Sequence, residues 1–84
     1  MTLYTPEVSM ALKAVPLPVD IPVDIVDYGK YLGIRFYESD WNYLSENERY
    51  KMGAYFEVIR RLLKSKNISS TLDPVYDVPG IQEL

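Results

Sequence analysis

The stretch LSENERYKMGAYFEVIRRLLKSKN, from Leu44 to Asn67, constrains what this chain can fold into more than any other. Ser45 and Glu48 form an S-x-x-E capping box, in which each residue's side chain can bond the other's backbone N–H. Glu46 and Glu48 place negative charge at the positive end of the helix dipole, and Arg60, Arg61, Lys64 and Lys66 place positive charge at the other end. Asn67 is a suitable stop. Between these ends Met52, Tyr55, Phe56, Ile59, Leu62 and Leu63 recur at i, i+3, i+4 and i+7, which makes one apolar stripe. Glu57 and Arg61 stand four apart and can pair on the outer surface. Gly53–Ala54 interrupts the helix formers. A glycine there costs about 1 kcal/mol relative to alanine. Either that cost is tolerated, or the missing side chain admits another backbone.

A core built around this helix has to be small. The chain has 84 residues, enough for one domain spanning 1–84. A chain of this length buries about 60% of its unfolded surface. It contains no cysteine and no histidine, which rules out a disulfide and a cysteine–histidine metal site within it. Small scaffolds without such staples gain core by associating, so a homodimer is expected. The net charge of −3 weighs against nucleic acid as the default partner. The absence of a long apolar run and of a secretory signal points to a cytoplasmic protein with no membrane association.

Taken in order, Thr5-Pro6-Glu7 opens a short helix. Threonine is the N-cap, proline suits the first helical position and glutamate suits the dipole. Val8, Ala11, Leu12 and Val15 share a face, and Pro16 ends the helix. Residues 16–22, PLPVDIP, have proline at three of seven positions and read as an extended spacer. Val23 to Tyr37 reads as a β-hairpin, VDIVD and YLGIRFY around a turn at Asp27-Tyr28-Gly29-Lys30. Leu32, Ile34 and Phe36 alternate with Gly33, Arg35 and Tyr37. The competing reading is a helix from Val23 to about Gly33, which would make the fold all-α. Glu38-Ser39-Asp40 reads as a capped turn, followed by a single helical turn carrying Trp41, the only tryptophan. Ile68 to Leu72 reads as a short strand. Asp73-Pro74 and Pro79-Gly80 are turn signals. Residues 1–4 and 79–84 are expected to fray. The expected fold is therefore α+β, a long amphipathic helix packed on a hairpin with a short N-terminal helix.

No motif for phosphate, dinucleotide or serine-nucleophile chemistry is present. Asp20, Asp24 and Asp27 would share a face on a helix, but nothing in the sequence supplies the cleft that paired-carboxylate chemistry needs. The expectation is a chain that is not an enzyme and has no cofactor. Eight tyrosines suit interfaces, where the ring packs and the hydroxyl stays wet. The expected function is protein–protein interaction, as an adaptor, an assembly subunit or a small inhibitor, through Tyr31, Tyr37, Tyr50, Gly53 and Ala54. The homodimer contact is placed at the Gly53 side of the helix or at the hairpin edge. The alternative is nucleic-acid binding, with Arg60, Arg61 and Lys64 on phosphates. A strand over Tyr31–Tyr37, a short helix and a longer helix follow an order similar to that of ribbon-helix-helix DNA binders. Here, however, the first helix has room for about one turn, and the chain is not assigned to that family.

Overall fold

The computed structural model describes residues 2–76. The elements are α1 (Pro6–Lys13), β1 (Asp24–Asp27), β2 (Leu32–Tyr37), α2 (Glu38–Tyr43), α3 (Glu46–Ser65) and β3 (Ser70–Val75). The fold is α+β, with three strands in one sheet, in the order β1-β2-β3.

Both ends of α3 form as its sequence dictates. The Glu48 N–H donates to Ser45 Oγ at 3.2 Å, and the Ser45 N–H donates to Glu48 Oε1 at 2.9 Å. At the other end Asn67 has φ +60°, a left-handed conformation that asparagine adopts more readily than most residues. The Asn67 N–H donates to the Lys64 carbonyl and the Ile68 N–H to the Leu63 carbonyl, both at 2.9 Å. These two bonds are a Schellman closure, and they turn the chain sharply toward β3. Ile68 completes the motif by packing on the core beside Leu63.

The apolar stripe of α3 lies across one face of the sheet. Met52, Phe56, Ile59 and Leu63 are buried against Leu32, Ile34 and Phe36 of β2. Fully burying one such side chain contributes about 1.5–3 kcal/mol. Phe36, Trp41 and Phe56 close one end as a three-ring cluster, with centroid separations of 5.3 to 6.3 Å. Helix α1 adds Val8 and Leu12 to the same core, and its N-cap Thr5 accepts from the Val8 N–H at 3.2 Å. Residues 16–22 form neither helix nor strand and bury Ile21.

The hairpin pairs Asp24 with Arg35 and Asp27 with Leu32, so residues 28–31 make the loop. Gly29 sits in that loop at φ +89°, a conformation that costs glycine nothing, and its N–H donates to Asp27 Oδ1 at 2.8 Å. The second oxygen of Asp27 accepts from the N–H groups of Leu3, at 2.7 Å, and Tyr4, at 3.0 Å. One carboxylate thus builds the hairpin turn and anchors the N-terminal segment. The N–H groups of Leu3 and Tyr4 are thus bonded to the hairpin turn. Met1, Pro79-Gly80 and the expected fraying of 79–84 lie outside the described residues.

Three elements depart from the sequence reading. Glu38-Ser39-Asp40 is the first turn of α2, which starts directly from β2 with Tyr37 as an N-cap that makes no side-chain bond. The last carbonyls of α2 are satisfied from α3: Arg49 donates to Trp41 O at 3.2 Å and to Asn42 O at 3.0 Å. The third strand runs from Ser70 to Val75, straight through the Asp73-Pro74 turn signal. Proline is tolerated there because β3 is an edge strand. Finally, β3 pairs with β2 in parallel, Leu32 with Ser70 through Tyr37 with Val75. Parallel neighbours need a crossover of a dozen or more residues, and α2 with α3 supplies it. The hairpin edge at β2 is therefore occupied. A proline near Arg35 would break the central strand and not a dimer contact.

Two measurements test this frame. Ile59→Ala should cost about 2–5 kcal/mol in urea unfolding, and a loss under about 1 kcal/mol would overturn the α3-centred core. The N–H groups of Tyr4, Gly29 and Leu3, against an opposing effect of burial, hold the Asp27 carboxyl below its ordinary value. A depressed folded value stabilises the fold above the ordinary carboxylate range, and that contribution is lost as pH falls through the folded value. The stability difference between the native chain and Asp27→Asn should therefore be largest near neutrality and narrow below about pH 4.

Candidate functional site

Strand alternation divides the sheet into two faces. Ile25, Leu32, Ile34 and Phe36 face α3. The register places Asp24, Val26, Gly33, Arg35, Tyr37, Thr71, Asp73 and Val75 on the opposite face. Among the described residues no helix covers that second face. Tyr28 folds back over it from the hairpin loop. A Cβ built on Gly33 would lie 2.5 Å from Tyr28 Cε2, so glycine is what lets the ring lie flat against the strand. The Tyr28 hydroxyl donates to Asp73 Oδ2, and Arg35 Nε stands 3.7 Å from the same oxygen. Tyr31 packs beside Tyr28 at a centroid distance of 5.1 Å, with the two rings tilted by 33°. At the other end of the face, Pro22, Val26, Arg35, Tyr37 and Val75 border a small hollow of about 140 Å³. The result is a surface of tyrosine and valine with one charged cluster at its middle.

The second surface is the flank of α3 that overhangs β3. Tyr50, Gly53, Ala54, Glu57, Arg60, Arg61 and Lys64 recur at helical spacing along it, and all are exposed. Glu57 accepts from Arg61 Nε at 3.0 Å and stands 3.9 Å from Arg60 Nη1. Glu57, Arg60, Arg61 and Lys64 form one wall of a concavity of about 560 Å³, and residues 67–70 form the other. Nothing lies within 4 Å of a Cβ built on Gly53, so the glycine admits no neighbouring backbone from within the described part of the chain.

The structure therefore sorts the sequence candidates into two groups. Tyr31 and Tyr37 belong with the open sheet face. Tyr50, Gly53 and Ala54 share a helix flank with Arg60, Arg61 and Lys64, although the sequence gives these two sets to different functions. The acidic residues Asp20, Asp24 and Asp27 do not converge on one site, and Asp27 is consumed by backbone donors. Sequence reasoning missed Tyr28, Gly33 and Asp73. A glycine inside an alternating strand was the available signal for a close approach at Gly33. Asp73 carried no signal, because its position follows from the parallel pairing. Among the described residues no group of three or more aspartates or glutamates is placed to hold a metal, and no helix is long and apolar enough to cross a membrane.

The class that fold and surface define is a small α+β domain with one open sheet face. Comparison with known proteins finds no matching family model, no matching curated protein and no matching solved structure.

The Tyr28–Asp73 contact is testable by titration. Asp73 accepts a hydrogen bond from the neutral phenol and so raises the Tyr28 pKa above the ordinary tyrosine value, with burial adding to the effect. Asp73→Asn should lower the Tyr28 pKa toward that ordinary value when its ring resonances are followed by NMR. An unchanged titration would separate the two side chains in solution.

Proposed function

We propose that this chain is a non-enzymatic protein–protein interaction module whose binding surface is the open face of the sheet. One observation carries the reading. All-parallel sheets carry helices on both faces, and in this mixed sheet no helix among the described residues covers the second face of β2 and β3, where Tyr28 lies over Gly33 and the rest stays open. What stands on it suits a protein partner. Tyr28, Tyr31 and Tyr37 are each exposed by about two-fifths, 45%, 39% and 44%, which leaves ring area free for contact, and Tyr28 and Tyr31 already pack on each other. Tyrosine brings large contact area at low cost in lost side-chain freedom.

The partner this face fits is a second copy of the chain. Two such sheets can stack at about 10 Å, with inner side chains interdigitated. A two-fold contact uses the same patch twice and adds the core that a domain this small lacks. The absence of cysteine suits a reducing compartment such as the cytoplasm.

Light scattering on the eluting protein tests the dimer. The expected mass is that of two chains at high micromolar concentration, falling to one chain in Tyr37→Lys with unchanged circular dichroism. A single-chain mass for the native protein at every concentration would exclude self-association. Arg60, Arg61 and Lys64 do come together on α3, which is the observation favouring nucleic acid as a second reading. That reading requires binding that weakens steeply with salt, and the expected outcome is no such binding to single- or double-stranded DNA.

A further inference from the structure

The flank of α3 that carries Arg60, Arg61 and Lys64 also overhangs β3, one of the two edge strands of the sheet, and the open-face reading leaves that flank unassigned. β3 is hydrogen-bonded to β2 on one side, and among the described residues no strand pairs with its other side. An unpaired edge presents a row of backbone donors and acceptors that an extended segment can extend as a new strand. Natural edges of this kind are blunted by proline, and here Pro74 removes a donor from the far half alone. Because the Leu32 N–H donates to the Ser69 carbonyl, in the half from Ser70 to Asp73 the parallel ladder takes the N–H groups of Thr71 and Asp73, and those of Ser70 and Leu72 face outward. Leu72, within that half, is 43% exposed on an otherwise covered face.

The open half lies beside the basic wall. α3 and β3 are joined by a tight turn and run back along each other. β3 covers about 17 Å at strand rise, and the distance from Lys64 to Gly53 along α3 is about the same at helical rise. Ser70 therefore starts next to Lys64, and the strand runs toward Gly53. Ser69, Ser70, Arg60, Arg61 and Lys64 line one concavity of about 560 Å³. Its charge is set by three cations against Glu57 alone. In a chain of net charge −3, four of the nine lysines and arginines fall between Arg60 and Lys66. Each arginine has five N–H donors, more than its contact with Glu57 uses.

We infer that this trough takes an extended acidic peptide segment of a partner protein, which adds as a strand to the Ser70–Asp73 edge of β3 and sets its carboxylates on Arg60, Arg61 and Lys64. The inference rests on the protein-binding reading for the kind of partner, but it uses a different surface from the open sheet face. Main-chain bonds supply the affinity, and the basic wall selects acidic side chains on the strand's helix-facing side. Gly53 and Ala54 leave room for the same segment to continue along the helix.

The probe is a fluorescent peptide of alternating glutamate and valine, measured by anisotropy on the full chain carrying Tyr37→Lys, so that failure of the dimer and failure of this site are read separately. Binding in about the micromolar range at low salt is expected, weakening as salt screens the wall. Lys64→Glu and Arg60→Glu should each weaken it about tenfold, as like charges then face each other, with circular dichroism unchanged because both positions are exposed. The same peptide N-methylated at alternate residues, which cannot form the ladder, should not bind, and the amides of Ser70 and Leu72 should gain exchange protection only with the unmodified peptide. Three results would overturn the inference. One is no binding up to about 1 mM. The second is equal binding of the N-methylated peptide, which would mean charge alone. The third is a thymidine oligonucleotide that binds the same residues more tightly than the peptide.

Discussion

Everything in this fold depends on the contact between four side chains of α3 and three of β2. Met52, Phe56, Ile59 and Leu63 recur at helical spacing, while Leu32, Ile34 and Phe36 recur at strand spacing, and both rows are buried in the same layer. The two rows meet when the helix lies flat on the sheet over β2. Once it does, the direction of the chain after α3 is settled. The left-handed residue Asn67 and the bonds from Asn67 and Ile68 to Lys64 and Leu63 turn the backbone down to the sheet, at the end where β2 began. A strand that starts there can only run parallel to β2. The mixed sheet is thus a consequence of helix length and of a single closure motif.

The same geometry explains which parts of the fold were legible in the sequence. Capping residues, heptad-like stripes and strand alternation are local, and they placed α1, α3 and both hairpin strands near their observed bounds. Asp27 was visible only as one member of an acidic series, because its three donors come from Leu3, Tyr4 and Gly29, two of them more than twenty residues away. β3 was harder still. Its dipeptide Asp73-Pro74 reads as a turn when judged from neighbours in the chain. It is a strand because β2 offers a free edge at the right distance, and because an edge position leaves the proline nitrogen without a ladder bond to miss. Glu38-Ser39-Asp40 shows the reverse error. Those residues have the composition of a turn and a cap, yet Arg49 from the next helix satisfies the carbonyls of α2, so that a six-residue helix forms without a side-chain cap of its own. At the candidate surfaces, Tyr31 and Tyr37 were found by type alone. Tyr28 was not, because its place over Gly33 depends on the hairpin being formed first.

The two flanks of α3 are unequal, and the inequality comes from the strand count. On one flank α1 and the N-terminal segment fill the space beside β1. Tyr55 is partly buried there, which pushes its phenol up from the ordinary value, and Lys66 stands 3.7 Å from Glu7. On the other flank the sheet ends at β3, and among the described residues no element lies beyond it. Apart from Tyr50, the residues on that flank are charged or very small: Gly53, Ala54, Glu57, Arg60, Arg61 and Lys64. A fourth strand in the sheet would cover Leu72 and bring its own side chains up to Arg60 and Lys64. The chain ends its described sheet one strand short of enclosing its own helix, and the side chains along the gap are the ones suited to an acidic strand from elsewhere.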